Sequence, residues 1–398
     1  MQEVVIVDAV RTAIGKIGGT LINETADLLA AHTFTALLER NEIKPSEIDE
    51  IILGQAKQSA NQSNLARVAS LQANLPIEIP SYTIHRQCGS GLQAINNAAQ
   101  QIAIGIADVI IAGGAESMST APYYINDMRY GRGAGNGMIL DPNTESQPGS
   151  QPAEYGIKTM GETAENLAEK YNISRLRQDE YAFLSQNRAK KAVEEGYFKK
   201  QIVPYEIKTK KNLIHFCTDE HPRLTPIDKL NLLQPVFKKD GTVTAGNSSG
   251  RNDGAASLLI MSETKAKSLG FKPLVKIIAQ AAAGVDPREM GIGPVPATLK
   301  ALMQVNLTID DIDIIELNEA FSAQTLAVID ELKLDIEKVN PNGGAIALGH
   351  PIGATGAILM TKLVHELIRS KKKYGLVTLC IAGGLGITTI VENVFSYE

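Results

Sequence analysis

Two regions of this 398-residue chain repeat each other in order and nearly in spacing. The matching pairs are Ala36–Ala56 with Ala301–Ala320, Gly89–Leu92 with Ala354–Ala357, and Ile111–Gly114 with Ile381–Gly384. Their offsets are 264–265, 265 and 270 residues, and the last pair is identical letter for letter. Three matches in the same order indicate a duplicated unit. Equivalent turns of the two copies are therefore expected to face each other across a pseudo-twofold axis.

The repeated unit has the pattern of an α/β fold. Short β-branched runs at Val4–Val7, Ile51–Leu53 and Val109–Ala112 predict strands, and the Ala- and Leu-rich stretches 25–40 and 91–104 predict helices. Strands that alternate with helices in this way are typical of the α/β class.

The character of the chain changes between the copies. Glycine and proline break up residues 119–160, residues 161–196 have helical periodicity with a predicted cap at Ser174, and strand–helix alternation resumes after Gly254. We therefore expect an inserted lobe. The predicted domains are a first half at 1–118 plus 251–270, an inserted loop domain at 119–250 that contacts coenzyme A and other subunits, and a second half at 271–398.

Composition excludes several classes of protein. A hydrophobic fraction of 44% and a charged fraction of 21% are ordinary for a globular protein, and a net charge of −5 argues against nucleic-acid binding. Three cysteines suggest no disulfide framework, which favours a reducing cytoplasm, and no histidine spacing suggests a metal site. The N-terminal residues resemble neither a signal nor a transit peptide, and no apolar run is long enough to span a membrane.

The first candidate for chemistry is Cys88. It follows an extended run, Tyr82–Ile84, and precedes Gly89-Ser-Gly91 and a helical stretch, which is the pattern of a strand–turn–helix that exposes a nucleophile. The positive end of the helix dipole is expected to favour the thiolate there. The alternative is a buried structural cysteine, which is the commoner fate of a free thiol.

Two turns in the second half add a base and a second thiol. His350 lies in Asn342–Gly356, just before a glycine-punctuated helix start, and Cys380 ends the last predicted strand in Leu379–Gly386. A thiol nucleophile needs a nearby base, and a second thiol can act as acid and base on carbon. Taken singly, His350 is equally explained as a capping or core histidine.

Four sequence blocks resemble the signatures of the thiolase family. They are Cys88-Gly-Ser-Gly91, Asn318-Glu-Ala-Phe321, Gly349-His-Pro-Ile-Gly-Ala-Thr-Gly356 and Cys380-Ile-Ala-Gly-Gly384. The likeness extends from Val5–Thr12 to the C-terminus. It implies the thiolase fold, with two βαβαβαββ halves in a five-layer αβαβα core and a loop domain over the active site.

The resemblance also implies a role for each matching residue. Cys88 would be acylated by a thioester, with the help of His350, and Cys380 would move a proton to or from the methyl carbon of acetyl-CoA. His350 and a water held by Asn318 would stabilise the enolate oxygen. The backbone N–H groups of Cys88 and Ala382 would form a second oxyanion hole.

Coenzyme A is implied as a substrate, with no permanently bound cofactor. Ser249 matches a serine that contacts pantetheine, and Arg223 matches an arginine near the adenine and 3′-phosphate. Apolar wall positions are matched by Met160, Leu233, Phe237, Ala245, Ala320 and Phe321. Without the family blocks, Leu233 and Phe237 would be interpreted as ordinary core residues.

Three positions depart from the family pattern. Ala382 stands where most members have glycine, and because Ala112 occupies the echoing position of the first half, we expect the turn to accept alanine. His85 replaces a usual asparagine. Thr159 replaces a histidine found in many acetoacetyl-CoA-forming members, which weakens the case for a strictly short-chain enzyme.

The expected activity is that of an acetyl-CoA C-acetyltransferase. The alternatives are a degradative 3-ketoacyl-CoA thiolase of broader chain length, a decarboxylating condensing enzyme, against which Cys380 argues, and a non-catalytic acyl-CoA or lipid carrier, against which Cys88 and His350 argue. The family also implies a homodimer or, more often in its short-chain branch, a homotetramer built through a loop of the inserted lobe, for which residues 123–137 are the candidate segment. Neither nucleic-acid nor membrane partners are expected.

Overall fold

A computed structural model describes residues 1–208 and 212–395 of the protein. Within these residues, ten strands form one sheet and two more form a separate hairpin. The hairpin consists of β6 (Tyr205–Lys208) and β7 (Leu213–Phe216). The strands of the large sheet are β1 (Val4–Arg11), β2 (Gly15–Lys16), β3 (Glu50–Gly54), β4 (Ser81–Ile84), β5 (Val109–Ser117), β8 (Asn252–Ser262), β9 (Val275–Gly284), β10 (Ile314–Leu317), β11 (Tyr374–Ile381) and β12 (Leu385–Asn393).

The sheet has two halves of matching topology. Its order is β10-β11-β12-β9-β1-β8-β5-β3-β4, and the halves join where Val5 and Ile6 of β1 pair with Lys276 and Val275 of β9. In each half a parallel pair, β3 with β5 or β10 with β11, is followed by two antiparallel partners, β8 and β1 or β12 and β9. This symmetry confirms the predicted duplication.

Helices cover both faces of the sheet, and two of them lie between its two halves. The α-helices are α1 (Ala26–Asn41), α2 (Leu65–Gln72), α3 (Ser90–Ala103), α4 (Pro142–Glu145), α5 (Met160–Lys170), α6 (Arg175–Glu194), α7 (Ile227–Asn231), α8 (Glu263–Ser268), α9 (Pro294–Val305), α10 (Ser322–Leu332), α11 (Ala345–Leu348) and α12 (Thr355–Ser370). Helices α3 and α12 contact each other and the strands of both halves. Helices α1 and α2 pack on one outer side and α9 and α10 on the other, which gives the predicted αβαβα layers.

The starts of α3 and α12 approach each other unusually closely. A Cβ atom on Gly91 would lie 2.9 Å from the carbonyl oxygen of Gly353, and one on Gly356 would lie 2.4 Å from the backbone nitrogen of Leu92. Both positions therefore require glycine, because a larger residue would separate the two helices. The predicted equivalence of these two turns is confirmed.

The third echo is not a structural equivalence. Ile111–Gly114 lies in the middle of β5, where Ile111 pairs with Ile51, whereas Ile381–Gly384 ends β11 and turns the chain into β12. In the second half, the strand residue that pairs with Ile315 is Leu376. The identical letters are thus offset by five residues from the true repeat. The argument that Ala112 predicts a tolerated alanine at position 382 is wrong.

The chain between β5 and β8 contains α4 to α7 and the β6–β7 hairpin and contributes no strand to the large sheet among the described residues. The predicted cap is confirmed, since the Ser174 hydroxyl accepts the Arg177 N–H at 3.2 Å at the start of α6. The exact domain boundaries stay a prediction. No described helix is both long and apolar enough to cross a membrane.

Candidate active site

The duplicated turns meet at one cavity. Cys88, His350, Cys380 and Ala382 all line it, and its volume is about 180 Å³. Each lies at or beyond the carboxyl end of a strand or at the start of a central helix, which is where open α/β sheets commonly bind ligands. Residues more than 260 positions apart in the chain are thus brought together, as the sequence predicted. We call this space the central cavity.

The turn at Cys88 has the strained geometry expected of an exposed nucleophile. The preceding residue, Gln87, has a φ of +44°, a left-handed conformation that non-glycine residues seldom adopt. The Ser90 hydroxyl holds this turn, because it donates to the Gln87 carbonyl at 2.6 Å and accepts the Arg86 N–H at 2.8 Å. Helix α3 then begins at Ser90, two residues beyond the thiol.

Burial dominates the electrostatics of Cys88. It raises the pKa of the thiol to about 11, although the N–H groups of Ala382 and Cys88 itself and the ammonium of Lys57 act in the opposite direction. The expectation that the helix would favour a resting thiolate is therefore wrong. Desolvation outweighs the favourable dipoles, so a base must take the proton during reaction.

His350 is held in one orientation by three hydrogen bonds around it. Its backbone N–H donates to Asn252 Oδ1 at 2.9 Å, and its Nδ1 lies 2.6 Å from the Thr355 hydroxyl. The single proton of that hydroxyl is donated to the Pro351 carbonyl at 2.8 Å, and a carbonyl can only accept. We infer that Nδ1 carries the ring proton and donates to Thr355, which leaves Nε2 as an acceptor. Such a tautomer suits a general base.

The imidazole is neutral at physiological pH. Burial, together with the nearby Lys57 ammonium, lowers the pKa of His350 to about 4. Cys380 is also buried, and burial followed by the proximity of Cys88 raises the pKa of its thiol well above the usual range. The cavity thus contains two protonated thiols and one unprotonated base.

Ala382 offers its backbone to the Cys88 sulfur. Its N–H and that of Cys88 both act on the thiol in the direction that lowers its pKa, so both lie close to the sulfur. Ala382 itself does not have a positive φ, whereas Gly383 and Gly384 have φ values of +92° and +80°. Alanine is accepted because the left-handed residues of this turn come later.

Asn318 has a buried amide without a protein partner. The residue is fully buried just beyond β10, and neither Nδ2 nor Oδ1 makes a hydrogen bond within the described residues. Neighbouring Glu319 contrasts with it, since its carboxylate is bonded to Tyr181, Ser185 and Asn340. An orphaned buried amide is costly and commonly signals a functional role. Asn318 does not itself line the central cavity.

The predicted coenzyme A residues fall into two groups. One group lines the central cavity and consists of Met160, Phe237, Ser249, Ala320 and Phe321. The other group lies further out: Arg223 lines a neighbouring pocket and donates to the Ala245 carbonyl at 2.8 Å, with Leu233 beside Gly246. Arg251 lines both spaces and so connects them.

One of the two remaining departures has a local structural explanation. Thr159 is the N-cap of α5, and its hydroxyl and the Glu162 carboxylate form a reciprocal capping box. His85 is exposed, and nothing in the structure explains its substitution; partial burial of the ring lowers its pKa, and a hydrogen bond with Gln87 acts in the opposite direction. Neither residue lines the central cavity.

Sequence reasoning missed two charged residues of the cavity, Lys57 and Arg251. Lys57 lines it, is only 5% exposed, and follows the end of β3 in the first half. In the duplicated register, Gly54 corresponds to Asn318 and Lys57 to Phe321, so the repeat itself could have located it. Asn143, Ser146 and Gln147 from the inserted lobe also line the cavity, and only the fold brings them there. The described residues contain no His, Cys, Asp or Glu grouping that could hold a metal.

Comparison with known proteins agrees with this geometry. The family model for the thiolase N-terminal domain matches residues 4–264, and that for the thiolase C-terminal domain matches residues 271–393. An acetyl-CoA acetyltransferase of Syntrophomonas wolfei is 46% identical, over 98% of this chain and 99% of its own.

Two solved structures extend the comparison. The acetyl-CoA acetyltransferase of Bacillus anthracis superposes with a TM-score of 0.96 at 48% identity, over 99% of each chain. Human mitochondrial 3-ketoacyl-CoA thiolase in complex with CoA gives 0.94 at 43% identity, over 99% of this chain and 98% of the other. Full-length matches of this quality, together with paired thiols from two duplicated halves, establish that the chain belongs to the thiolase family.

Proposed function

We propose that this protein is an acetyl-CoA C-acetyltransferase, which reversibly condenses two molecules of acetyl-CoA to acetoacetyl-CoA and CoA. The observation that carries the proposal is the meeting of Cys88, His350 and Cys380 at one cavity. The similarity to proteins named acetyl-CoA acetyltransferase over the full length supports the choice of substrate.

In the first step, Nε2 of His350 takes the proton of Cys88, and the thiolate attacks the thioester carbon of acetyl-CoA. The developing oxyanion accepts hydrogen bonds from the N–H groups of Cys88 and Ala382. The C–S bond of the thioester breaks, and the leaving coenzyme A thiolate takes the proton of Cys380, which becomes a thiolate while His350 keeps the proton of Cys88. The product is an acetyl group on the Cys88 sulfur.

In the second step, Cys380 as thiolate removes a proton from the methyl carbon of a second acetyl-CoA. His350 and a water held by Asn318 stabilise the enolate oxygen. The carbanion attacks the acetyl group on Cys88, the bond between that carbon and the Cys88 sulfur breaks, and acetoacetyl-CoA forms. The Cys88 thiolate then takes its proton back from His350. Removal of one such oxyanion donor typically costs about 3–4 kcal/mol of barrier.

Coenzyme A is proposed as a substrate that enters past Ser249, along the apolar surface formed by Phe237 and Phe321. The rings of Phe237 and Phe321 contact each other edge to face, with their centroids 5.9 Å apart. Arg223 and Arg251 line the neighbouring pocket, where they would supply positive charge for the phosphates of coenzyme A. A cytoplasmic location is part of the same proposal, and the bacterial origin of relatives named acetyl-CoA acetyltransferase supports it.

A homotetramer is also proposed, assembled through residues 123–137. This stretch exposes large apolar side chains, including Tyr123, Ile125, Met128 and Tyr130, the last 95% exposed. Light scattering at micromolar concentration tests the state, and a monomer would contradict it.

The activity is tested by following loss of the acetoacetyl-CoA enolate absorbance after addition of coenzyme A. The wild-type protein should consume acetoacetyl-CoA, and a Cys88→Ala variant should not. Cys217→Ala is the matched control, because Cys217 is an exposed free cysteine outside the central cavity. Equal rates in the wild type and Cys88→Ala would refute the proposal.

A further inference from the structure

Lys57 places a positive charge inside the central cavity that the mechanism above does not use. Its side chain is buried at 5% exposure, and its Nζ donates to the Pro142 carbonyl at 2.9 Å and to the Ser146 hydroxyl. Its backbone N–H donates to the buried carboxylate of Glu116 at 3.0 Å, which fixes the start of the side chain. The ammonium is thus held at a defined position between the first half and the inserted lobe.

This ammonium lacks a direct charged partner. Both of its acceptors are uncharged oxygens, and Glu116 and Asp141 act on it only through longer-range attraction. Buried lysines are rare unless they are paired, since loss of water disfavours the charge. An ammonium has three N–H donors, so one remains without an acceptor in the part of the chain that the structure describes.

Ser146 adds a second donor next to the first. Its Oγ accepts from Lys57, while its own proton has no acceptor among residues 1–208 and 212–395. Gln87, Asn143 and Gln147 continue this polar wall of the cavity. Met160, Phe237 and Phe321 add apolar surface to the cavity, where pantetheine is proposed to enter. The cavity therefore offers both polar and apolar groups to an acyl chain.

We propose that Lys57 and Ser146 form a subsite for a carboxylate at the far end of the acyl group that Cys88 carries. The proposal rests on the proposed function and extends its substrate class to 3-oxoacyl-CoA thioesters whose chains end in a carboxylate. A carboxylate accepts hydrogen bonds from several donors and would supply the missing negative charge. A methyl end would leave the ammonium desolvated and unpaired.

The group transfer balances without any further reactant. The Cys88 thiolate attacks C3 of the 3-oxoacyl-CoA, the C2–C3 bond breaks, and C2 takes a proton from Cys380 to give acetyl-CoA. The remaining acyl group, with its carboxylate at the subsite, is a thioester of Cys88. Coenzyme A thiolate then attacks that carbonyl carbon, and the Cys88 sulfur leaves as the thiolate.

The test compares two thioesters of equal length, 3-oxohexanoyl-CoA and 3-oxohexanedioyl-CoA, which end in a methyl group and a carboxylate. We expect the wild type to show a kcat/KM at least tenfold higher for the carboxylate. Lys57→Met should lower this ratio by about 30-fold, as loss of a charged hydrogen bond does, and Ser146→Ala should lower it less. Lys44→Met, which changes an exposed lysine, should leave the ratio unchanged.

The ratio separates the subsite from a general effect of the charge on Cys88. If Lys57→Met lowers both rates by one factor, or if the wild type does not favour the carboxylate, the proposal is overturned. If Lys57→Met does not fold, the Ser146→Ala ratio decides in the same way. Absence of wild-type turnover with acetoacetyl-CoA would instead refute the proposed function itself.

Discussion

Thr355→Val tests whether the tautomer of His350 controls catalysis. The Thr355 hydroxyl is buried and makes two hydrogen bonds, to His350 Nδ1 at 2.6 Å and to the Pro351 carbonyl at 2.8 Å. Valine keeps the shape and removes both bonds. In the variant, the Nδ1–H either stays unpaired or moves to Nε2, where it would prevent that atom from accepting the Cys88 proton.

The magnitude follows from the unpaired donor. Leaving a buried N–H without an acceptor costs about 1–3 kcal/mol. At about 1.4 kcal/mol per tenfold, kcat/KM should fall by roughly 5- to 150-fold. Thr361→Val is a matched control, because this buried threonine of α12 donates to the Ala357 carbonyl at 2.9 Å and contacts no proposed catalytic residue.

The assay has two readouts. Thiolysis of acetoacetyl-CoA gives kcat/KM, and the rate of iodoacetamide alkylation of Cys88 against pH reports how readily its thiolate forms. Thr355→Val should slow both relative to Thr361→Val. Equal effects of the two substitutions on both readouts would refute the inferred role of the Nδ1 hydrogen bond.

The remaining predictions concern stability and its link to function. Asn318→Leu should lower kcat about a hundredfold and leave the melting temperature equal or higher, because no protein hydrogen bond is lost. Asn340→Leu should lower the melting temperature, because it loses the hydrogen bonds to Leu317 and Glu319. Burial lowers the folded-state pKa of His350 to about 4, whereas the unfolded value is about 6.5. The free energy of unfolding, measured by urea titration, should therefore fall by about 3 kcal/mol as the pH is lowered from about 6.5 to about 4. His350→Gln should make this loss smaller. Lys362→Met should lower the free energy of unfolding by about 3–5 kcal/mol at pH 8, because it leaves buried Glu316 without the ammonium 2.6 Å away; the exposed Lys373→Met should cost about 1 kcal/mol or less. A denaturation midpoint for Lys362→Met equal to that of Lys373→Met would contradict the last prediction.

The duplicated fold and the three central residues could be predicted because sequence patterns carry them directly. Gly91 and Gly356 are required by the close approach of α3 and α12, so the repeat can still be recognised in the sequence. Cys88, His350 and Cys380 lie at its turns, and the chemistry of thiols and imidazole indicates what they do.

Other features depend on distances that the sequence does not contain. Burial raises the pKa of Cys88, two backbone N–H groups and the Lys57 ammonium oppose it, and only the fold shows that burial dominates. Lys57 looks like any surface lysine until the Pro142–Ser146 segment of the inserted lobe packs over it. The echo at Ile381–Gly384 misled because identical residues can serve a strand interior in one half and a turn in the other.

The central claim is that a thiol of the first half forms the covalent intermediate, activated by an imidazole of the second. Intact-protein and peptide mass spectrometry after an acid quench with acetyl-CoA tests it most directly. The account predicts one acetyl group on the peptide that contains Cys88 in the wild type, and much slower labelling in His350→Gln. Acetylation of another cysteine, or turnover without any label on Cys88, would contradict it.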